Sequence, residues 1–203
     1  MLRSIRLFAG AAAVLFGGVL LAQQPAKDAP AADGYFPTKL KTKWTYKVQD
    51  QTIEVVASGN EKFGDESCTK VDTLVSGKVV ASELYAVRAD GVYRVKVKDD
   101  KIDPPVKVLA LPVKKDAEWD VKSKVGTQTV SGKFKVKDDK AKVNVMGKDV
   151  EAVLVEGADL DVAGTKTTVR MWFVKNQGVV KLEYKIADAT STLELTKFDA
   201  PGN

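Results

Sequence analysis

Three tryptophans are the side chains in this sequence most suited to chemistry, and that chemistry is non-covalent. Trp44 and Trp119 follow prolines, Pro37 and Pro112, at the same spacing, and Trp172 heads an aromatic pair with Phe173. Placed with Tyr46 on the inner face of a small β-fold, such rings either fill a core or line an apolar ligand site. Trp44, Tyr46, Trp119 and Trp172 are therefore the candidate ligand-binding residues. Covalent options are few. Histidine is absent and cysteine occurs once, at Cys68, which removes Ser-His and Cys-His pairs, zinc fingers and any disulfide within the chain. A lone thiol in an oxidising compartment reads as a small core residue, since an exposed one would cross-link chains.

The acids and lysines offer weaker options. A hydrolase without histidine needs paired carboxylates across a cleft, about 5 to 9.5 Å apart for glycoside cleavage. The 27 acids leave that reading open as an alternative, although most sit at strand ends or beside lysines. Glu156, Asp159 and Asp161 form the densest acidic cluster, but their spacing matches no calcium loop, and they read as a solvated hairpin end. Lys39, Lys41, Lys43 and Lys47 form a stripe that could dock on an anionic surface or guard an exposed strand against edge pairing, and the second reading is preferred. No catalytic residue, metal ligand or cofactor motif emerges.

The first 22 residues concern address. Arg3 and Arg6 precede the uncharged run from Leu7 to Ala22, 16 residues against the roughly 20 needed to cross a bilayer. This is the layout of a secretory signal peptide with cleavage expected after Ala22, and position 23 is not a cysteine that could take a lipid. The mature chain is expected to be periplasmic or secreted. Its net charge falls from +5 to +3, with cations spread along the length among acids, so nucleic acid is not an expected partner. Residues 23–34, with Pro25, Pro30 and several alanines, read as a linker, and 35–203 as a single β domain with internal halves at 35–105 and 106–203.

The elements that must position these side chains are strands. Residues 23–203 hold 28 valines against 10 leucines, and a branched β-carbon suits a pleated sheet better than a helix. Lys39 to Val48 alternates Leu40, Trp44, Tyr46 and Val48 with lysines. The same alternation sets Tyr93, Val95 and Val97 against Arg94, Lys96 and Lys98, Trp119 and Val121 against Asp120 and Lys122, and Phe134 and Val136 against lysines. Val180, Leu182, Tyr184 and Ile186 complete the set. One wet face per strand argues for an antiparallel sheet rather than a doubly wound α/β fold. Turns are expected at Ser76-Gly77, Asp90-Gly91, Asp99-Asp100, Asp138-Asp139, Gly147-Lys148, Gly164 and Gln177-Gly178, separating about a dozen strands.

The chain also matches itself. Phe36-Pro37-Thr38-Lys39 with Trp44 pairs with Leu111-Pro112-Val113-Lys114 with Trp119 at an offset of 75, and Tyr85 to Val95 pairs with Trp172 to Leu182 at an offset of 87. Two similar meanders follow from this.

These residues resemble a group of exported bacterial domains of unknown function, distantly LolA-like. Members open with Pro-Leu-Lys-x-Gly-x-x-Trp and close with an aromatic strand running into Gly-Val-Gly-x-Val-Lys. Here the opening is Pro37 to Trp44, with Lys41 at the motif's glycine, and the closing is Trp172 to Glu183, with Asn176 at the first glycine. Gly147 to Val153 resembles the family's Gly-x-Phe-x-Ala strand. The resemblance implies an all-β fold, a strongly curved antiparallel sheet or open barrel with little or no helix beyond the signal segment. It transfers no catalytic residues.

The reading that follows is a non-catalytic exported module binding an apolar or amphipathic ligand, such as a lipid, on its concave sheet face. The alternative is a structural or protein-interaction domain with a filled core and a cell-envelope partner, and the second alternative is a carboxylate-based hydrolase. A cavity lined by the tryptophans distinguishes the first from the second.

Overall fold

A computed structural model describes residues 34–201. The signal segment and all of the linker except Gly34 lie outside the described residues. Twelve antiparallel strands follow one another: β1 (Lys43–Val48), β2 (Gln51–Phe63), β3 (Glu66–Val75), β4 (Lys78–Arg88), β5 (Gly91–Val97) and β6 (Asp100–Ala110). The second six are β7 (Glu118–Val125), β8 (Gln128–Val145), β9 (Lys148–Val162), β10 (Thr165–Val174), β11 (Gly178–Ile186) and β12 (Ala189–Asp199). No helix occurs among the described residues.

Each strand pairs with its sequence neighbours, and β1 pairs with β12, so the sheet closes on itself. The open alternative in the sequence reading is thereby resolved to a closed barrel. Closure gives every strand two neighbours, although β6 and β7 pair only at Ile102–Val125 and Asp103–Lys124. It also creates space, because side chains just fill a barrel of about eight strands and a wider one must be flattened or partly hollow.

Two local features recur at the offsets read from the sequence, although the boundary between residues 105 and 106 falls inside β6. Lys41 has a φ of +69° and Asp116, 75 residues later, a φ of +65°. The Lys41 N–H donates to the Ala57 carbonyl and the Thr42 N–H to Lys39, while the Asp116 N–H donates to Val136 and the Ala117 N–H to Lys114. Asn176 likewise takes a left-handed φ of +63°. Lys41 and Asn176, at the two positions where the resembling family has glycine, thus keep the turn without it. At the offset of 87, Gly91 and Gly178 begin β5 and β11. A Cβ on Gly91 would meet the Leu109 carbonyl oxygen at 2.3 Å, and one on Gly178 would meet Pro37 Cδ at 3.1 Å.

Three expectations need correction. The first strand starts at Lys43 rather than Lys39, because the left-handed turn at Lys41 precedes it and leaves Leu40 exposed. Asp138-Asp139 is not a turn. It lies inside β8 as an irregularity against β9, and the buried alternation of Ala141, Val143 and Val145 carries the strand onward. The inward set of β5 is Val92 and Arg94, not Tyr93 and Val95, a reversal with consequences for the cavity.

The largest buried cluster joins Val92, Leu109, Val121, Phe134, Val136, Val153, Val155, Met171 and Phe173 within the barrel. A second gathers Val143, Val145 and Ala152 of the long β8–β9 hairpin with Trp44, Tyr46, Val180 and Leu195. Cys68, Leu84, Ala86 and Val95 form a third, on the face of β3–β5 opposite the one that Val71, Glu83 and Tyr85 present to the cavity. Cys68 is 1% exposed, and burial first, then nearby Glu66, pushes its thiol up to about 11.

Candidate functional site

Every odd-numbered strand runs toward the same end of the barrel, and the cavity lies toward that end. Its lining includes Val125, Val162 and Ile186, the last residues of β7, β9 and β11. Ile186 is also half exposed to the outside, so it stands at the mouth. The opposite end is closed by the segment preceding β1. The Asn176 N–H donates to the Gly34 carbonyl at 2.7 Å, and Phe36 reaches the cavity with its ring centroid 4.9 Å from that of Tyr85. The volume is about 580 Å³, inside the roughly 300–1,000 Å³ range of small-molecule sites.

Two of the four candidate residues face this space. Trp44 and Tyr46 are buried on β1 and line it, while their polar atoms are satisfied elsewhere. Trp44 Nε1 donates to the Gln177 carbonyl at 2.5 Å, and the Tyr46 hydroxyl donates to the Val179 carbonyl at 2.6 Å. Each aromatic thus ties β1 to the stretch where β10 turns into β11 and leaves its ring for apolar contact. Burial, with Tyr184 nearby, holds the Tyr46 hydroxyl protonated far above its ordinary range.

The other two lie elsewhere. Trp119 stacks on Phe134 with centroids 5.9 Å apart, and its Nε1 donates to the Lys107 carbonyl at 2.8 Å. That bond spans the β6–β7 seam, where strand pairing is limited to Ile102 with Val125 and Asp103 with Lys124. Pro104 and Pro105, without N–H groups, cannot extend that ladder. Trp119 is therefore a brace behind the Phe134 wall. Trp172 packs against the second cluster with Lys181 over its ring at 5.5 Å, because Val169 and Met171 take the inward positions of β10.

The lining also holds polar residues outside the four candidates: Thr73, Thr167, Glu83, Tyr85 and Arg94, with Tyr184 from the inward set of β11. Arg94 Nη2 donates to Glu83 Oε1, and the Tyr85 hydroxyl donates to Glu83 Oε2 at 2.6 Å. Glu83 and Arg94 keep 20% and 35% of their side-chain surface, which borders the cavity. Burial opposes the Arg94 charge, yet Tyr85 and Glu83 beside it keep the guanidinium above its ordinary value. Desolvation raises both the Tyr85 and the Tyr184 hydroxyl. A signal for this group exists in the sequence, since Glu83 shares its parity along β4 with Tyr85 and Val87, on the side away from Leu84 and Ala86.

Glu83 is the one acid in this lining among the described residues, so no carboxylate pair faces the cavity. The Glu156 of the acidic cluster is engaged outside, accepting from Arg170 Nε at 2.7 Å, and Asp161 accepts from the Gly164 N–H at 2.9 Å within a hairpin turn. Lys43 of the lysine stripe pairs with Glu54 at 2.5 Å across β1 and β2.

No protein-family model matches the chain, and no curated protein is similar enough to count as a relative. Two solved structures share the fold. One, from Parabacteroides distasonis, is described as a "putative lipoprotein"; it is 12% identical, with a TM-score of 0.52 over 81% of this chain and 98% of its own. The other, from Bacteroides fragilis, is described as a "putative exported protein with YmcC-like fold"; it is 10% identical, with a TM-score of 0.51 over the same shares. At these identities the likeness concerns the fold alone.

Proposed function

We propose that this chain is a non-catalytic exported module that carries an apolar or amphipathic ligand, such as a lipid, inside its barrel. The observation that supports this reading is the cavity of about 580 Å³, bounded mostly by aliphatic and aromatic side chains and reaching one end of the barrel. Burial of a ligand's apolar surface contributes about 25 cal/mol per Å², so affinity needs no reactive group. The lining matches that mode of binding, with one acid already paired to an arginine. The signal-like leader and the descriptions of the two fold neighbours as exported and lipoprotein chains agree with a place in the envelope or outside the cell. A filled-core interaction domain would leave no such space.

The experiment is extraction of the purified chain with organic solvent and mass spectrometry of the extract, together with titration with the uncharged dye N-phenyl-1-naphthylamine. A co-purified lipid or saturable dye fluorescence is expected. Absence of both overturns the carrier reading.

A further inference from the structure

The polar group inside the cavity bears on what the ligand's head must be, an inference that rests on the carrier reading above. Arg94 carries five N–H donors, and its side chain makes one hydrogen bond to the protein among the described residues, from Nη2 to Glu83. Its Nε is enclosed with no partner. The side chain keeps 35% of its surface and lines the cavity, so its other guanidinium N–H groups can meet an acceptor there. Tyr184 lines the same cavity from β11, and its hydroxyl makes no hydrogen bond among the described residues. Donors are therefore in surplus on this lining.

Charge is not in surplus. Glu83 already neutralises Arg94, and both Glu83 oxygens are occupied, one by Arg94 and one by Tyr85. An anionic head would bring a second negative charge beside Glu83 in a poorly solvated space, which is unfavourable. An uncharged acceptor meets the donors without that penalty.

We infer that the cavity takes an acyl lipid whose polar end is uncharged and offers a hydrogen-bond acceptor, an ester carbonyl being the simplest, seated on the Arg94 guanidinium and the Tyr184 hydroxyl with its chain along the apolar wall. Val169, Leu182 and Leu193 belong to that wall.

The test is displacement of N-phenyl-1-naphthylamine from the purified chain, produced from its full-length sequence, by monopalmitoylglycerol and by palmitate at pH 8. The expected result is a preference of about tenfold or more for the uncharged lipid. Glu83→Gln keeps an acceptor for Tyr85 but removes the negative charge, and shifts the preference toward palmitate by about tenfold. Tyr184→Phe, which breaks no bond within the protein, lowers monopalmitoylglycerol affinity severalfold and supplies a second check should Glu83→Gln not fold. Equal affinity for the two lipids, or a native preference for palmitate, overturns this inference and leaves the carrier reading standing. So does an unchanged ratio in a folded Glu83→Gln chain. Failure of the dye and both lipids to bind overturns the carrier reading, and this inference with it.

Discussion

Lys41 and Asp116 hold the same left-handed turn 75 residues apart, each donating its N–H to a carbonyl on the second strand after it, Ala57 on β2 and Val136 on β8. The turn sets the direction in which β1 and β7 leave, and hence where Trp44 and Trp119 point. Neither side chain suits a positive φ: a left-handed backbone costs a residue with a Cβ about 1–2 kcal/mol, and aspartate tolerates it better than lysine. Lys41 is exposed, whereas Asp116 also pairs with Lys135 at 3.0 Å. Lys41→Gly should therefore stabilise the fold by about 0.5–1 kcal/mol after the added flexibility of the unfolded chain is subtracted, and Asp116→Gly by less. Urea unfolding of the two variants checks the order. A destabilised Lys41→Gly chain would mean that the turn is not strained.

Cys68 combines 1% exposure with a thiol raised to about 11, so two effects suppress its reactivity together. The thiolate is the reactive form, and at pH 8 very little is present. Ellman's reagent at pH 8 should label the folded chain at least about a hundredfold more slowly than the same chain in guanidinium, since labelling must wait for the fold to open. Rapid labelling of the folded chain would contradict the packing of Cys68 with Leu84, Ala86 and Val95.

How much of this was legible in the sequence divides along physical lines. The period of two along β1, β7 and β11 reflects burial on one face, and it placed Trp44, Tyr46, Leu182 and Tyr184 correctly on the inner side. Closure was not legible, because the pairing of Lys43 with Asp199 joins chain ends that no local pattern connects. Arg94 illustrates the deeper failure. Read alone, β5 puts Tyr93 and Val95 inside and Arg94 in water. In the barrel, irregular pairing at Arg94 against β6, and at Leu84–Tyr85 of β4 against β5, lets Val95 pack with Leu84 and Ala86 while Arg94 turns inward to Glu83. A charge can occupy an inward site when a partner two strand positions away compensates it, and periodicity carries no information about that partner. Trp119 and Trp172 misled for a related reason. Their size suggested a ligand wall, but one braces a seam that strand hydrogen bonds leave open and the other covers a second cluster.

Glu66 and Arg88 meet in two parallel hydrogen bonds, 2.8 Å from Nε and 2.9 Å from Nη2, at the β2–β3 end of the barrel. The hydrogen bonds from Arg88 hold the Glu66 carboxyl below its ordinary value. A lowered folded pKa stabilises the fold above the unfolded value of about 4.3, and that contribution is lost as pH falls through the folded pKa. Glu66 and Arg88 keep 30% and 35% of their side-chain surface in solvent, so the contribution at pH 7 is held to about 1 kcal/mol or less. Glu66→Gln should be less stable than the native chain at pH 7, and the difference should close below about pH 4. Thermal melts across that range check it. A gap that widens on acidification would reverse the assigned sign.

Val169 tests the cavity from its apolar wall. It sits in the middle of β10 with its side chain in the lining, opposite Tyr184 on β11 and Gly157 on β9. The strand ladders around it are continuous except for the irregularity between Thr167 and Val169. A larger side chain at this position has open space to enter, whereas in a solid core it would force neighbours out of their rotamers at about 1–3 kcal/mol. Val169→Trp should therefore fold with a thermal midpoint within about 4 °C of the native chain. Its uptake of N-phenyl-1-naphthylamine should fall by about tenfold or more, because the indole occupies the volume the dye would use. The two readouts separate the explanations. Loss of dye binding with an unchanged midpoint is what a hollow barrel gives. A midpoint lowered by about 10 °C or more would show that the interior collapses around Val169 in solution. An unchanged midpoint with unchanged uptake would place the dye site outside the barrel.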